Sequence, residues 1–467
     1  MQPSRLLACS AFLGVTMVAS LPVQPAFAQD NTPILYEGAR LIIGPASVAP
    51  IENGTFIVEN GVITAIGTSD EITAPAGAAR VDLTGKTVMP AMIDMHAHLG
   101  YEKYTDAAGD SRSEHYTAEN LLDHFQRSAF YGIGTVNDGG TAVVPLSLQL
   151  QADQRSGKLP MAARYVFNPG VVPPEGGPDH ILIRGTRPLN ANYEVTTPEA
   201  ARAAVRDIAA KGIGHLKIWI GNRGGTYPPM PVEVSSAVID EAHRHDIEVH
   251  AHATSTADQK EILAAGVDLL VHMVDHEALD DELITLLEEK KPYWVPVLGN
   301  GLGPGLVREV CNNEPFATET LSPTILAQIM EADCGRRPDE GFVRGWYEKN
   351  FPKMIEAGAR IVLGTDAGVR PSKTFGTSAH HELAIFVGLG LSEAETIEAA
   401  TSRAAEALGL NGVGILVQGK DADFIVLDAN PLDDITNTRK ISAVYLGGVR
   451  LDRDALLAKW NGAAAQN

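Results

Sequence analysis

The sequence is short of basic residues, and this shortage limits the partners that the protein can bind. Among its 467 residues, Lys and Arg number 37 against 58 Asp and Glu, which gives a formal net charge of −21. Nucleic acids and anionic membrane surfaces attract basic patches, so this balance argues against both as partners. A small-molecule substrate is the expected partner, and a homo-oligomer is left open.

Long apolar runs are also missing after the amino-terminal leader. Residues 1–28 have a basic start, an apolar run over 6–21 and small residues at Ala26 and Ala28, which is typical of a secretory signal peptide. The apolar run is too short for a transmembrane anchor. We therefore expect an exported protein, periplasmic or secreted, that is cleaved after Ala28 and has no membrane span.

Cysteine is scarce, and cleavage of the leader would leave only Cys311 and Cys334. In an oxidising compartment an even pair favours a disulfide, although two separate buried thiols are the alternative. Both cysteines lie in segment 299–359, which is far longer than an ordinary connection between barrel strands. We expect this segment to be a lid or pocket wall, and its glycine-rich start, residues 299–305, to be a mobile loop.

Strand-like and helical patterns alternate over residues 88–410. Eight apolar runs of strand length occur in this region, at 88–98, 133–138, 163–168, 215–220, 247–252, 268–273, 293–298 and 360–366. Eight strands that alternate with helices fit a closed α/β barrel better than an open sheet. The predicted fold class is therefore α/β, with a (β/α)8 TIM-like barrel at its centre.

The segments on both sides of this region have the pattern of short β-strands. In residues 33–87, two such strands flank Asn60-Gly61, a strong signal for a β-hairpin. Strand patterns return within residues 411–455. We expect the two ends of the mature chain to combine in one small composite β-sandwich domain.

Two histidines follow the apolar part of the first predicted barrel strand. His96 and His98 are two residues apart, and because strand side chains alternate, both leave the same face. Neutral imidazoles in this position can bind one divalent metal ion. An isolated His-x-His is more often a pair of hydrogen-bonded core residues, so the metal interpretation depends on later segments.

Further polar residues lie within or at the ends of the later predicted strands, and the functional groups of a parallel barrel collect at those ends. They are Lys217, His250, His252, His272 and Asp366. Taken alone, Lys217 would be interpreted as a lysine that extends along the barrel to reach water. His250 and His252 both point inward, and the residues alone do not decide which of them is a ligand. Together these side chains favour a metal centre.

This arrangement resembles the metal-dependent amidohydrolase superfamily, and most closely its imidazolonepropionase-like, prolidase-type and ochratoxin-amidase-like branch. Residues 419–431, GKDADFIVLDANP, are similar to the C-terminal signature of that superfamily. The resemblance implies a hydrolase that cleaves an amide or peptide-type C–N bond of a small substrate, such as a dipeptide or an N-acyl amino acid. A hydrolase of an ester, lactone or phosphotriester is the main alternative. A deaminase and a non-catalytic barrel are weaker ones.

The same resemblance implies two divalent metal ions per chain, with zinc as the default because the ligands are rich in histidine. Six side chains would be the ligands: His96, His98 and Asp366 for the first ion, His250 and His272 for the second, and Lys217 between them as N6-carboxylysine. An unmodified ammonium beside two cations would be repelled. A carbamate would instead be an anionic oxygen ligand.

The resemblance also implies catalytic roles. A metal-bridging hydroxide would attack the substrate, and Asp366 would take its proton and deliver it to the leaving nitrogen. His252 is expected at a catalytic position beside the metals or the substrate. The candidate substrate contacts are His180, Arg223, Tyr227 and His380, all placed in or next to loops at the barrel mouth.

Overall fold

A computed structural model describes most of the chain. The described residues are 32–104, 113–174, 177, 186–222, 225, 228–302, 304–334 and 342–464. The predicted leader and three of the candidate substrate contacts, His180, Arg223 and Tyr227, lie outside them. Within these ranges, none of the helices is both long enough and apolar enough to cross a membrane.

The described chain begins with six strands, and strands and helices follow one another from residue 118 onward. The strands are β1 (Ile34–Leu41), β2 (Ile51–Glu59), β3 (Val62–Thr68), β4 (Ala79–Asp82), β5 (Thr87–Pro90), β6 (Met92–Ala97), β7 (Ile133–Asp138), β8 (Arg164–Phe167), β9 (Gly170–Val172), β10 (Asn192–Glu194), β11 (His215–Trp219), β12 (Glu248–His252), β13 (Leu269–Val271), β14 (Tyr293–Val295), β15 (Arg360–Ile361), β16 (Phe424–Leu427), β17 (Ile441–Leu446) and β18 (Val449–Arg450). The helices are α1 (Ala118–Phe130), α2 (Val144–Arg155), α3 (Pro198–Ala210), α4 (Val232–His243), α5 (Thr256–Ala265), α6 (Asp281–Lys290), α7 (Gly299–Leu302), α8 (Pro304–Cys311), α9 (Pro315–Thr318), α10 (Pro323–Ile329), α11 (Phe342–Glu356), α12 (Thr377–Gly388), α13 (Glu393–Ala400), α14 (Ser402–Ala407) and α15 (Arg453–Ala464).

Strands from both ends of the described chain form one mixed sheet, in the order β18-β17-β16-β5-β1-β2-β3, with β4 paired to β1. The β2–β3 hairpin turns at Asn60 and Gly61, which both have positive φ (52° and 79°), as an Asn-Gly turn requires. On one face of the sheet Tyr36 stacks on Phe56, with ring centroids 4.7 Å apart, and its edge contacts Phe424. The sheet joins the two ends of the chain, while a separate composite sandwich domain stays a prediction.

The remaining strands form two parallel sheets. One has the order β6-β7-β8, and the other has the order β10-β9-β11-β12-β13-β14-β15. Backbone hydrogen bonds connect the two sheets: Met95 N donates to Leu363 O at 2.9 Å, and Thr365 N donates to His96 O at 3.0 Å. The arrangement is α/β and TIM-barrel-like. A single closed eight-stranded barrel stays a prediction.

The first predicted barrel strand, 88–98, is in fact two strands with different partners. The change falls at Ala91, whose N–H donates to Asp423 O, whereas the N–H of the next residue, Met92, donates to Gly132 O. β5 is thereby paired antiparallel with β16, and β6 parallel with β7. The whole stretch is buried, so its apolar sequence carries no sign of the break.

The long segment between β14 and β15 is largely helical and carries a disulfide. Cys311 and Cys334 are bonded, with Cα atoms 5.7 Å apart, which confirms the predicted pair. The glycine-rich start is not the mobile loop that its composition predicts, since residues 299–302 and 304–311 are helical. Tyr131 O–H donates to Phe316 O at 3.0 Å and attaches the segment to the barrel side. Its role as a lid stays a prediction.

Removal of the disulfide should destabilise the protein. We expect the variant with both Cys311→Ser and Cys334→Ser to lose about 3 kcal/mol of unfolding free energy, because the cross-link restricts the unfolded chain. Denaturant unfolding without reductant measures the difference. Reduced parent protein is the matched control and should unfold like the variant, and equal stability of the oxidised parent and the variant would contradict the expectation.

Candidate metal centre

Three buried side chains converge where β6 ends and where the chain leaves β15. His96 Nε2 and His98 Nε2 lie 3.0 and 3.2 Å from the same oxygen, Asp366 Oδ1. The three residues are almost completely buried and form a group whose donor atoms could hold a metal ion. Zinc binds nitrogen and oxygen ligands at about 2.0–2.2 Å, which puts neighbouring ligand atoms roughly 3 Å apart. The observed spacing is therefore compatible with a shared metal ion.

Strained backbone marks the ends of three neighbouring strands. Asp366 has φ of 60°, His272 has φ of 77° and Val297 has φ of 50°, all in the left-handed region. This region is costly for residues other than glycine, above all for the β-branched Val297. Such strain persists where the surrounding structure enforces it, and it clusters at functional sites. Two of these three residues, His272 and Asp366, are predicted metal ligands.

Several donor atoms of the centre have no hydrogen-bond partner among the described residues. They are His96 Nε2, His250 Nε2 and Asp366 Oδ1, although the first and last contact each other. An unsatisfied buried polar atom costs about 1–3 kcal/mol. Imidazole nitrogens and carboxylate oxygens are ordinary ligands of divalent metals. The buried donor set therefore fits a metal ion.

Lys217 lies beside these ligands on the adjacent strands. It is directly opposite His250 in the pairing of β11 with β12, and its side chain is fully buried. Burial, and then the positive charge of Lys217, lower the pKa of His96 well below its ordinary value. Burial also lowers the pKa of His250, to which His215 and Lys217 add. Both imidazoles are thus neutral near pH 7, the form that binds metals.

Ring contacts extend the group along the strand ends. The ring centroid of His96 lies 4.9 Å from that of His98 and 5.4 Å from that of His272. The His252 ring lies 4.5 Å from the His272 ring. The structure thus brings His272 to the first ligand group and places His252 next to it.

Hydrogen bonds to the second ring nitrogen orient two of the imidazoles. His98 Nδ1 lies 3.2 Å from Thr141 Oγ1, and Thr141 donates to Asp138 Oδ1 at 2.8 Å. His250 Nδ1 lies 3.0 Å from the amide of Asn168. Such partners fix the ring orientation of metal ligands. Sequence reasoning missed them, although Asp138 and Asn168 end predicted strands and could have been found by that position.

The amide of Asn168 decides which nitrogen of His250 can bind a metal. Its Nδ2 faces His250 Nδ1, while its Oδ1 has no hydrogen-bond partner among the described residues. A half-turn of the amide, which leaves its shape unchanged, would let Oδ1 accept from Nδ1–H. His250 Nε2 would then present its lone pair to the centre.

Glycines provide the space in which the ligand side chains pack. A Cβ added at Gly139 would lie 2.3 Å from two atoms of the His96 ring. One added at Gly140 would lie 2.7 Å from Lys217 Cβ, and one at Gly364 would lie 2.9 Å from His96 Cβ. Any larger residue would displace these side chains.

The structure does not bring His380 to this group, which corrects the expectation that it contacts substrate. His380 Nδ1 lies 2.9 Å from Thr438 Oγ1, and His380 Nε2 lies 2.8 Å from Tyr131 O. The ring is buried and also packs against Phe316. Both nitrogens are occupied by protein groups, so His380 holds α12 in place and has no nitrogen left for a substrate.

Comparison with known proteins gives consistent likenesses over most of the chain. The model of the amidohydrolase family matches residues 87–293 and 325–451. An imidazolonepropionase from Deinococcus radiodurans is 36% identical over 429 residues, covering 86% of this chain and 92% of its own. A 5-methylthioadenosine/S-adenosylhomocysteine deaminase from Halalkalibacterium halodurans is 25% identical over 428 residues, 84% of each chain. A solved structure assigned as a prolidase, from Bifidobacterium longum, superposes with a TM-score of 0.68 at 28% identity, covering 92% of this chain and 99% of its own.

A methyl group added at Gly139 should weaken metal binding without removing any donor atom. In Gly139→Ala the new Cβ would lie 2.3 Å from the His96 ring and would push it out of position. Loss of ligand support typically costs about 10–100-fold in metal affinity. Zn²⁺ titration of the demetallated protein against a chromophoric chelator measures the effect. Gly388→Ala, where a Cβ would meet nothing within 4 Å, is the control, and equal Zn²⁺ affinity of both variants would refute the prediction.

Proposed function

Because the chain belongs to the amidohydrolase family, we propose that it is a metal-dependent hydrolase that cleaves an amide or peptide-type C–N bond of a small substrate. The resemblance to the imidazolonepropionase-like and prolidase-type branch is confirmed by the relatives found. The observation that carries the proposal is the buried convergence of His96, His98 and Asp366 at the strand ends. Dipeptides and N-acyl amino acids are the proposed substrate class.

The proposed ligands divide between two ions. His96, His98 and Asp366 would hold the first ion, and His250 and His272 the second, with Lys217 between them as N6-carboxylysine. When bound, divalent metals, with zinc the expected ion, supply a water-derived nucleophile at neutral pH and polarise the scissile carbonyl. Three observations support these assignments: the contact of His96 Nε2 with Asp366, the absence of a hydrogen-bond partner for His250 Nε2 among the described residues, and the lowered pKa values of both imidazoles.

Asp366 is proposed as the residue that moves the proton. It would accept the proton of the attacking water and return it to the leaving nitrogen, which an amide needs because an unprotonated amine is a poor leaving group. Its carboxylate is buried, so bulk water does not compete for the proton. His252, next to His272, is proposed to contact the substrate or the developing oxyanion.

Deamination is the second candidate, since one relative is named as a deaminase. The position of Lys217 favours amide hydrolysis. A buried ammonium beside His96 and His250 would repel metal ions, whereas a carbamate would bind them. A non-catalytic barrel is disfavoured because all six candidate ligands are present.

Export is part of the proposal. Cleavage after Ala28 would release the protein into an oxidising compartment, where disulfides persist. The Cys311–Cys334 bond supports this location, since such bonds are rare in proteins kept in a reducing cytosol. The natural substrate would then be an amide of the periplasm or the exterior.

Amide hydrolysis should depend on bound metal. We expect purified protein to release amino acids from dipeptides or N-acyl amino acids, to lose this activity with a chelator and to regain it with Zn²⁺, because the metals supply the nucleophile. A panel that adds an aminopurine nucleoside, an aryl ester, a lactone and a phosphotriester separates the alternatives. Ammonia release from the nucleoside without amide hydrolysis would overturn the proposal, and full activity in metal-free protein would do so too.

Loss of Lys217 should remove one metal ion and most of the activity. Lys217→Ala lacks the group proposed to bridge the ions, and added short carboxylates should partly restore both metal content and turnover. Metal analysis by mass spectrometry together with the amide assay measures this. Lys290→Ala, at an exposed lysine that ends α6, is the control. Two metal ions retained in Lys217→Ala would contradict the role of Lys217.

A further inference from the structure

Two side chains outside the proposed ligand set form a hydrogen-bonded chain behind Asp366. Asn300 Nδ2 donates to Asp366 Oδ2 at 2.8 Å, the oxygen that does not contact the histidines. Lys373 Nζ donates to Asn300 Oδ1 and, at 2.9 Å, to Thr365 O. We infer that Asn300 and Lys373 are positioning residues that hold the Asp366 carboxylate in the orientation the metal centre requires.

Lys373 determines which way the Asn300 amide faces. An ammonium group has only donors, so it must take the amide oxygen. The amide nitrogen is thereby directed toward Asp366, to which it can only donate. Without the ammonium, the amide could turn its oxygen toward the carboxylate, and the two would repel. The lysine therefore acts on Asp366 through Asn300.

Burial decides which of the two residues is the anchor. Lys373 is 7% exposed, whereas Asn300 is exposed. Although Asn300 is exposed as a residue, its amide bonds to Asp366 and Lys373 are partly buried, so water cannot fully replace them. A buried ammonium is costly without acceptors. The requirement of Lys373 for an acceptor therefore holds Asn300 in place.

A third residue fixes the backbone that carries Asn300. Both carboxylate oxygens of Glu382, which is 1% exposed, accept from the backbone N–H of Gly299, at 3.0 and 3.1 Å. A Cβ placed on Gly299 would lie 3.7 Å from Glu382 Oε1 and 3.9 Å from Lys373 Nζ. The first two residues of α7 are thus held by two side chains: Glu382 accepts from the backbone of Gly299, and Lys373 donates to the side chain of Asn300.

This arrangement connects the long segment 299–359 to the chemistry. Asn300 is the second residue of that segment, and its amide contacts the proposed proton-transfer residue. Because Asp366 Oδ2 accepts from Asn300, only Oδ1 of the carboxylate faces His96 and His98. A displacement of α7 would release Oδ2 and let the carboxylate rotate away from its place between the histidines.

The test compares two asparagines of the same segment. Asn350 is buried and, like Asn300, hydrogen-bonded, but to backbone groups: its amide donates to Val274 O and Glu277 O and accepts from Leu279 N. Asn300→Ala and Lys373→Met are the test variants, Asn350→Ala is the control for stability, and Lys373→Arg restores the charge and the donors.

The inference rests on the proposed metal centre, so Zn²⁺ affinity of the demetallated protein is measured first, independently of turnover. Asn300→Ala and Lys373→Met should weaken Zn²⁺ binding by about 10–100-fold and lower kcat on the parent's amide substrate, with KM changed by less than about twofold. Lys373→Arg should recover much of both. Asn350→Ala should lower the unfolding temperature and keep the Zn²⁺ affinity of the parent.

Two outcomes would overturn the inference. One is Zn²⁺ affinity and kcat at parent level in folded Asn300→Ala and Lys373→Met. The other is a loss in these variants that Asn350→Ala reproduces in proportion to its lower stability, since the role would then be structural only. A parent that binds no Zn²⁺ would instead refute the proposed function and, with it, the inference.

Discussion

The contact of Asp366 with His96 and His98 depends on how the two parallel sheets meet. The backbone N–H of Asp366 donates to His96 O at 2.8 Å, and the N–H of His98 donates to Ala367 O at 2.7 Å. These bonds set the register between residues that are far apart in sequence. A shift by one residue would turn the side chains to the opposite face. The donor atoms of the site are therefore positioned by the same backbone bonds that join the two parallel sheets.

The centre is maintained against several local costs. The φ of Asp366 lies in the left-handed region, and Lys217 is buried among imidazoles. Three glycines, Gly139, Gly140 and Gly364, give up side-chain packing to make room for ligands. Strained backbone, a buried lysine and extra glycines all tend to lower stability. If they served packing alone, stabilising mutations could readily replace them. Their common location at the strand ends fits the proposed metal site, where bound metal would offset these costs.

Sequence periodicity was sufficient where local geometry determines the outcome. Strand alternation predicted that His96 and His98 share one face, and the ends of predicted strands pointed to His272 and Asp366, whereas Lys217 lies in the middle of β11. It failed where partners are chosen in three dimensions. The break at Ala91 is invisible in a run that is buried on both sides of it, and His380 is occupied by Tyr131 and Thr438, which no local pattern connects to it.

The buried charges around the centre are more negative than a folded core ordinarily tolerates. Asp94, Asp138, Asp366 and Glu382 are all almost fully buried, against the two lysines Lys217 and Lys373. Burial raises the pKa of Asp94 to about 7 and that of Asp138 to about 6. A divalent cation nearby would favour the ionised carboxylates and lower these pKa values. An excess of buried carboxylates is thus costly in a protein without metal and balanced in one that binds it. If the centre holds two cations as proposed, an ammonium at Lys217 would add positive charge to them, and this repulsion is the physical reason to expect a carbamate there.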